Sequence, residues 1–349
     1  MNKINLRIMS SALLVAACLS SIQGFAAENY LAPRTEWGQP DLQGVWNFSS
    51  SIPMERPKHF GEREFLNEEE ITAVLAPPGV TEEGDAEQAP LPAGEVGKTY
   101  DDFWNEQTVQ RSSYRTSHII YPKNGRVPQL KDGVVVQFGT RGSDKTAERP
   151  ARHLARGIGI DGPEDRGLSE RCLVGFNAGP PFTPSVYNNN VQIFQNADTA
   201  VIMTEMIHEA RIVPLYESVD DLVSLHDDIR LYSGDSRGYW EGDTLVVVTK
   251  NFNSLTASFG GLAADSGLPG TAYDKVLTEK FSRVGPSTID YEFTVDDPAT
   301  YTDKFTGIIP IAEVDGLLYE YACHEGNYAM LYMLRGARVQ EAGALDTAK

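Results

Sequence analysis

The 349-residue sequence is short of cysteine, histidine and basic residues. It has three cysteines and six histidines, and 30 Lys and Arg stand against 49 Asp and Glu, which gives a formal net charge of −19. No CxxC pair or Cys/His cluster occurs, so no motif indicates a structural zinc site. The deficit of basic residues argues against nucleic acid or an anionic membrane as partner, because both are bound through basic patches. Cys172 and Cys323 could pair in an oxidising compartment or remain as buried thiols.

Long apolar runs are also absent. The apolar run 8–19 is too short to cross a bilayer, and it follows Lys3 and Arg7. With the small-residue pattern GFA behind it, this segment is typical of a secretory signal peptide, and we expect cleavage near Ala26. The VAAC sequence ending at Cys18 also resembles a lipid-attachment box, so a lipid anchor at that cysteine is the alternative. Either reading predicts a periplasmic or secreted protein without a membrane span.

The chain after the signal peptide (1–26) begins with an irregular segment, 27–110. The sequence predicts one short helix there, at 67–76, with Asn67 as its N-cap. Residues 77–100 are rich in Pro, Gly and Glu and are predicted to form an exposed connector.

The remainder, 111–349, is predicted to be β-rich. Short β-type runs alternate with turn signals: HIIYP, GVVVQFG, NVQIFQ, AVIMTEMI, EARIVPLY, DTLVVVTKNF, VLTEKFSRV, TIDYEFTV and LLYEYAC. This spacing predicts an antiparallel sheet closed into a barrel or a sandwich. A long loop is expected at 140–170, and NYAMLYMLRGAR predicts a C-terminal helix capped by Asn327 and ended by Gly336.

Four polar side chains crowd the end of a strand predicted at 319–323: His324, Glu325, Asn327 and Tyr328. Folding requires only a turn at Gly326 and a helix cap at Asn327. An imidazole beside a carboxylate can donate and accept protons near neutral pH. We therefore predict His324 and Glu325 as catalytic groups, the alternative being that both are merely solvated.

The stretch TEMIHEARIVPL places further titratable groups close together. In a regular strand Glu205 and Arg211 share one face and His208 lies on the other. An arginine between carboxylates is an electrostatic unit, whereas a lone histidine can equally be a core residue. If the barrel brings His208 near His324, the two imidazoles and a neighbouring glutamate could hold a divalent metal with an open position.

The stretch GDSRGYWEGDTLVV predicts a hairpin with its turn at 241–243. Its GDS evokes the serine nucleophile of chymotrypsin-like proteases, but Arg237 replaces the second glycine of that motif and no matching histidine context precedes it. Asp235 beside Arg237 could grip a polar ligand or brace the hairpin.

Aromatic and amide groups supply the remaining candidates for a binding site. Tyr187 opens the run YNNN before a predicted strand, and three asparagines disfavour a strand, so at least one, such as Asn189, is expected to serve through its amide. Asx-turn formation is the alternative. Trp240 and Tyr328 are further candidates for aromatic walls.

Several of these stretches together resemble a large, mostly uncharacterised family of exported bacterial proteins: RTEWGQPDLQGVWNF, RTSHIIYPKNGRVP, ERCL, YNNN, EMIHEARIVPL, GDSRGYWEGDTLVV, DYEFTVDDPATYT and YEYACHEGNY. The resemblance runs through nearly the whole mature chain. GVW near the start also resembles the Gly-x-Trp opening strand of lipocalin-like (calycin) barrels. Where relatives would place a histidine before an ERF-type sequence, this chain has Asp-Lys-Val-Leu at 274–277, so the resemblance carries no site role over to that position.

We therefore predict a mainly antiparallel, lipocalin-like β-barrel with an irregular N-terminal extension and a C-terminal helix. Its mouth would bind a small, partly hydrophobic molecule. The predicted function is an exported acid–base enzyme without a cofactor, a lyase or isomerase, with a divalent metal at His208 and His324 left open. No Rossmann or P-loop signature occurs, which disfavours a nucleotide cofactor. A ligand carrier and a metal-assisted hydrolase are the alternatives. The predicted catalytic residues are His208, His324, Glu205 and Glu325. The predicted substrate-binding residues are Tyr187, Asn189, Arg211, Asp235, Arg237, Trp240, Asn327 and Tyr328.

Overall fold

The computed structural model describes residues 30–75, 113–134, 136–137, 162–163, 167–260 and 268–347. The predicted signal peptide with Cys18, the connector and most of the loop 140–170 lie outside these residues. The strands are β1 (Gly44–Asn47), β2 (Ile119–Tyr121), β3 (Val136–Gln137), β4 (Asn190–Gln195), β5 (Thr199–Thr204), β6 (Ala210–Tyr216), β7 (Asp235–Glu241), β8 (Thr244–Lys250), β9 (Leu268–Pro269), β10 (Val276–Gly285), β11 (Thr288–Asp296) and β12 (Phe305–Val314). The helices are α1 (Glu68–Leu75) and α2 (Tyr328–Thr347), with short 3₁₀ turns at Lys58–Phe60, Met206–His208, Val219–Asp221 and Ala272–Asp274.

Nine strands close into a barrel, in the order β1-β4-β5-β6-β7-β8-β10-β11-β12, and β12 pairs again with β1. Neighbours in this ring are antiparallel except β6 and β7, which run parallel through the pairs Leu215–Gly238 and Tyr216–Tyr239. β2 adds to β12, and β3 pairs with β9 in a separate two-stranded sheet. The predicted mainly β barrel is confirmed, but the sheet is mixed rather than wholly antiparallel.

The barrel core follows from strict alternation along the strands. On β11, Ile289, Tyr291, Phe293 and Val295 are all buried, while the residues between them are partly exposed. Gly307 on β12 allows an especially close contact, because a Cβ there would lie 2.4 Å from the ring of Phe293. The aromatic ring therefore packs directly on the backbone of the neighbouring strand.

The N-terminal segment takes part in the barrel through β1, which pairs with both β4 and β12. Trp46 on β1 is fully buried, and its indole N–H donates to the carbonyl of Leu42 at 2.9 Å. The predicted helix is confirmed as α1. Its N-terminus is a capping box, in which the Glu70 N–H donates to the Asn67 side chain at 2.9 Å and the Asn67 N–H donates to the Glu70 carboxylate at 2.8 Å.

The C-terminal region differs from the prediction in two ways. Residues 319–323 form no strand, because no neighbouring strand pairs with them, and Tyr319 is 80% exposed. Asn327 does cap α2, accepting from the Met330 N–H at 3.4 Å, but the helix continues through Gly336, which does not adopt the left-handed conformation that ends helices. Neither helix among the described residues has the length and apolar character needed to cross a membrane.

A disulfide joins Cys172 to Cys323, with the Cα atoms 5.7 Å apart and the two residues 151 positions apart in sequence. The first of the two predicted states of these cysteines is therefore observed. The Asn327 amide strengthens the same connection by donating to the Glu170 carbonyl at 3.2 Å. Together these contacts fix the start of α2 to residues 170–172.

Candidate functional site in the barrel pocket

A pocket with a cavity volume of about 80 Å³ opens between two loops and the barrel wall. Its lining comes mainly from 174–181 and 256–260, with Leu268 added from β9 and Lys275 from the position before β10. Most of these side chains are apolar or small. Among the described residues that line the pocket, Lys275 is the only one with a charged side chain.

Lys275 reaches the pocket because it immediately precedes β10. The buried positions of β10 are Leu277, Glu279 and Phe281, and Lys275 has the same parity, so it lies on the inward side. The lysine is 2% exposed. Its Nζ donates to the carbonyl oxygen of Ser258 at 3.0 Å and to that of Pro180 at 3.3 Å.

Burial decides the protonation of this lysine. Desolvation lowers the pKa of Lys275 from 10.5 to about 7, because the ammonium form loses its hydration in the barrel. The carboxylates of Asp297 and Glu279 oppose this shift in pKa, whereas the guanidinium of Arg211 adds to it. Near neutral pH a large fraction of Lys275 is therefore the free amine, which is the form able to accept a proton or attack a carbon.

A buried polar network lies behind Lys275. Arg211 on β6 donates two hydrogen bonds to Glu279, at 2.6 and 3.0 Å, and the Tyr291 hydroxyl donates to the same carboxylate at 2.8 Å. Burial and then the charge of Glu279 raise the pKa of Tyr291 well above its usual range. Burial alone would lower the pKa of Arg211, but the Glu279 carboxylate outweighs it and the pKa is raised. Both groups thus stay protonated.

The loop that forms one wall of the pocket is fixed to this network. The N–H of Phe182 donates to the Tyr291 hydroxyl at 3.2 Å, and the Phe182 ring stacks on Phe48 with centroids 5.1 Å apart. At Gly179 the backbone is left-handed, and a Cβ would lie 2.2 Å from the Pro181 carbonyl oxygen. The wall therefore depends on glycine and on an aromatic side chain inserted into the barrel.

The four predicted catalytic residues are not among the lining residues of this pocket. His208, His324 and Glu325 are exposed. Glu205 is buried, and its carboxylate accepts from the Asn190 side chain at 2.9 Å. The structure thus does not gather the two imidazoles and the two carboxylates around the pocket.

Arg211 lies in the buried network, but its partner differs from the prediction. We expected carboxylates of its own segment to flank it. The backbone instead turns at Met206–His208, where Ile207 and His208 have φ values of 64° and 43°, so the strand alternation begins only at β6. Glu279 on β10, 68 positions further along the chain, supplies the carboxylate.

Asp235 and Arg237 form the predicted ion pair and also hold the preceding segment. The Leu225 N–H donates to the Asp235 carboxylate at 2.9 Å, and the Arg237 Nε donates to the Val223 carbonyl at 2.7 Å. The pair therefore braces residues 217–234, which connect β6 to β7. The predicted turn at 241–243 is confirmed between β7 and β8.

The remaining predicted binding residues occupy four different settings. Tyr187 packs edge-on against Phe176, a pocket-lining residue, with centroids 5.6 Å apart. Asn189 is buried, and its amide exchanges hydrogen bonds with the backbone of Ser185 at 2.8 and 2.9 Å, which is a local structural role and not a contact to a ligand. Trp240 packs on the barrel core. Asn327 caps α2, while Tyr328 is 63% exposed.

The sequence reasoning missed Lys275, Glu279 and Tyr291. A signal was present, because all three fall at the inward positions of strands whose other inward residues are apolar. An ionisable residue at such a position needs a partner or a function. No group of three or more His, Cys, Asp and Glu side chains within the described part of the chain is arranged to hold a metal ion.

The resemblance drawn from the motifs remains a prediction, because no protein-family model matches the chain and neither a curated protein nor a solved structure matches it.

Proposed function

We propose that this protein is an exported acid–base enzyme of the lyase or isomerase type that needs no organic cofactor. A small, partly apolar molecule binds in the barrel pocket, and Lys275 transfers the proton. The observation that carries this proposal is the position of Lys275, a buried amine in a pocket whose other described lining residues are uncharged.

The chemistry of the site supports the proposal. A general base works best when its pKa lies near the working pH, and burial brings the pKa of Lys275 to about 7. After accepting a proton the amine becomes an ammonium, which the nearby carboxylates of Glu279 and Asp297 stabilise electrostatically. The carbonyl groups of Ser258 and Pro180 hold the nitrogen in place. We therefore assign to Lys275 the proton transfer that the sequence analysis predicted for His208 and His324.

Export is part of the same proposal. It is supported by the signal-peptide pattern of the sequence and by the Cys172–Cys323 disulfide, since disulfides form and persist in oxidising compartments. We propose a periplasmic or secreted location on this basis.

Deuterium exchange tests the proposal. The protein is incubated in D₂O with small ketones, aldehydes and hydroxy acids, and loss of C–H signals is followed by NMR. We expect exchange above the buffer rate, with an inflection near pH 7, that is lost in Lys275→Met. Lys280→Met is the matched control, because Lys280 is a partly exposed lysine of β10, the strand that Lys275 precedes, and it pairs with Glu241. Exchange that persists in Lys275→Met refutes the assignment.

A ligand carrier is the second candidate, favoured by one observation. Both hydrogen bonds of the Lys275 amine go to backbone carbonyls of the two pocket loops. Such contacts also suit a structural role, in which the lysine holds the two loops in position around a bound ligand. A carrier should bind the same small molecules in wild type and in a pocket-preserving variant, and should exchange no protons in either. Calorimetric titration beside the NMR assay separates the two functions.

A further inference from the structure

We propose that Lys275 is a nucleophile that captures a small neutral aldehyde or ketone as an imine in the barrel pocket. This inference rests on the proposed function, because it assigns the substrate class and the covalent step to the same amine.

The hydrogen bonds of Lys275 favour nucleophilic attack. A neutral primary amine has two hydrogens and one lone pair. The Ser258 and Pro180 carbonyl oxygens accept two hydrogen bonds from Nζ, at 3.0 and 3.3 Å, which accounts for both hydrogens of the amine. The Phe252 ring also lies against the amine, with its centroid 4.1 Å from Nζ. The lone pair of the neutral amine is the part that can react with a ligand in the pocket. Since both acceptors are backbone atoms of pocket-lining residues, the nitrogen is held beside the cavity.

The charges around the amine select against anionic substrates. Two buried carboxylates, those of Glu279 and Asp297, act on Lys275, and one guanidinium, that of Arg211, acts with the opposite sign. Negative charge is therefore in excess once the lysine is neutral. A carboxylate or phosphate ligand would be repelled in this low-dielectric interior, whereas an uncharged carbonyl compound would not.

The cavity volume limits the size of the reacting group. A cavity of about 150 Å³ accommodates benzene, a molecule of six carbon atoms. The pocket here has about 80 Å³ and is walled by Val174, Phe176, Phe259 and Leu268. It fits a carbonyl group with a short aliphatic chain.

The proposed step is balanced without a further reactant. The Nζ lone pair attacks the carbonyl carbon, and the π electrons of the C=O bond move to oxygen, which takes the proton released by nitrogen. The resulting carbinolamine releases its hydroxyl group as the nitrogen lone pair forms the C=N bond, and the second N–H proton passes to that oxygen to give water. Amine and carbonyl compound thus give imine and water. Protonation of the imine by solvent gives the iminium, which makes the neighbouring C–H bond acidic, and solvent water takes that proton. In this form of the proposed function the amine activates the C–H bond as an iminium, and the proton passes to water instead of to the amine.

Reductive trapping tests this inference. The full-length mature protein is treated at pH 7 with propanal or butanone and sodium cyanoborohydride, and the rate of alkylation is measured at each lysine by peptide mass spectrometry. A lysine of pKa about 7 has roughly a thousandfold larger amine fraction at pH 7 than an ordinary lysine. Allowing for restricted access, we expect Lys275 to react about 100-fold faster than Lys304 or Lys280, and to saturate with propanal concentration.

Two comparisons make the result decisive. Ala257→Phe, checked for folding by circular dichroism, fills the pocket and should suppress labelling of Lys275 while labelling of Lys304 is unchanged. The inference is overturned if Lys275 reacts no faster than Lys304, or if Ala257→Phe leaves its labelling intact. If trapping fails while deuterium exchange still depends on Lys275, only the imine is lost and the acid–base function stands. If both assays are negative, both proposals fall.

Discussion

Replacing Lys275 by methionine tests the charge state that burial imposes on this side chain. Methionine resembles the lysine stem in length and flexibility but carries no ionisable group. In the unfolded chain the amine has a pKa of 10.5, whereas burial lowers the pKa to about 7 in the folded protein. Between these values the unfolded chain binds a proton that the folded protein has lost. The stability of the wild type should therefore rise with pH through this window.

The magnitude follows from the two pKa values. At about 1.4 kcal/mol per pH unit, the interval from 10.5 to about 7 corresponds to about 5 kcal/mol of penalty on the protonated folded protein. Titration spreads the effect, so raising the pH from about 6 to about 9 should stabilise the wild type by about 2–3 kcal/mol relative to Lys275→Met. The variant forfeits two hydrogen bonds to backbone carbonyls, each worth about 1 kcal/mol. It should be the more stable protein at the acidic end and lose that advantage toward the alkaline end.

Urea unfolding with the disulfide intact measures this difference at several pH values. The comparison of wild type with variant cancels the groups that titrate in both. Lys280→Met is the control, and its difference from wild type should be nearly flat with pH, because Lys280 is partly exposed. A flat line for Lys275→Met would mean that the folded protein keeps the amine charged, and the reasoning about the pocket would then be refuted.

Three further predictions concern the scaffold. Glu279→Gln leaves the buried Arg211 charge uncompensated and should lower the free energy of unfolding by about 3–5 kcal/mol in urea titrations, so a loss below about 1 kcal/mol would contradict the network. Cys323→Ser should cost about 2–5 kcal/mol and increase hydrogen exchange throughout α2 while the barrel amides stay protected; unchanged protection of α2 would show that the disulfide is not what holds it. Gly307→Ala places a methyl group against the Phe293 ring and should lower the unfolding free energy by about 1–3 kcal/mol, measured by thermal melting, whereas an unchanged melting temperature would contradict the close contact.

The sequence predicted most of the barrel because alternation is a local property. The runs that became β4, β6, β8, β10 and β11 were each recognisable from their own residues. The run LLYEYAC has the same local pattern but forms no strand, since a strand also requires a neighbour and Tyr319 has none in the sheet. The parallel junction of β6 with β7 was likewise beyond local reasoning.

The site was harder to predict because its parts come from distant segments. Lys275 and Pro180 are 95 positions apart, and Arg211 and Glu279 are 68 apart. Parity along VLTEKF places Lys275 and Glu279 inside the barrel, and that much was open to prediction. Which residue would meet them depends on the closure of nine strands. The left-handed Ile207, a β-branched residue in a conformation that such residues rarely adopt, has no signature in its own sequence.

The junction between β6 and β7 is a short link in the closed ring of strands. Only two residue pairs, Leu215–Gly238 and Tyr216–Tyr239, join these strands, whereas β7 and β8 share seven. By number of residue pairs, this parallel contact is the shortest strand pairing in the barrel ring. Asp235 and Arg237 lie at the start of β7 and form hydrogen bonds with the segment that arrives from β6. The GDSRG stretch therefore reinforces the junction of the two strands. Opening of the ring at this junction would require the hydrogen bonds of Asp235 and Arg237 to the preceding segment to break as well.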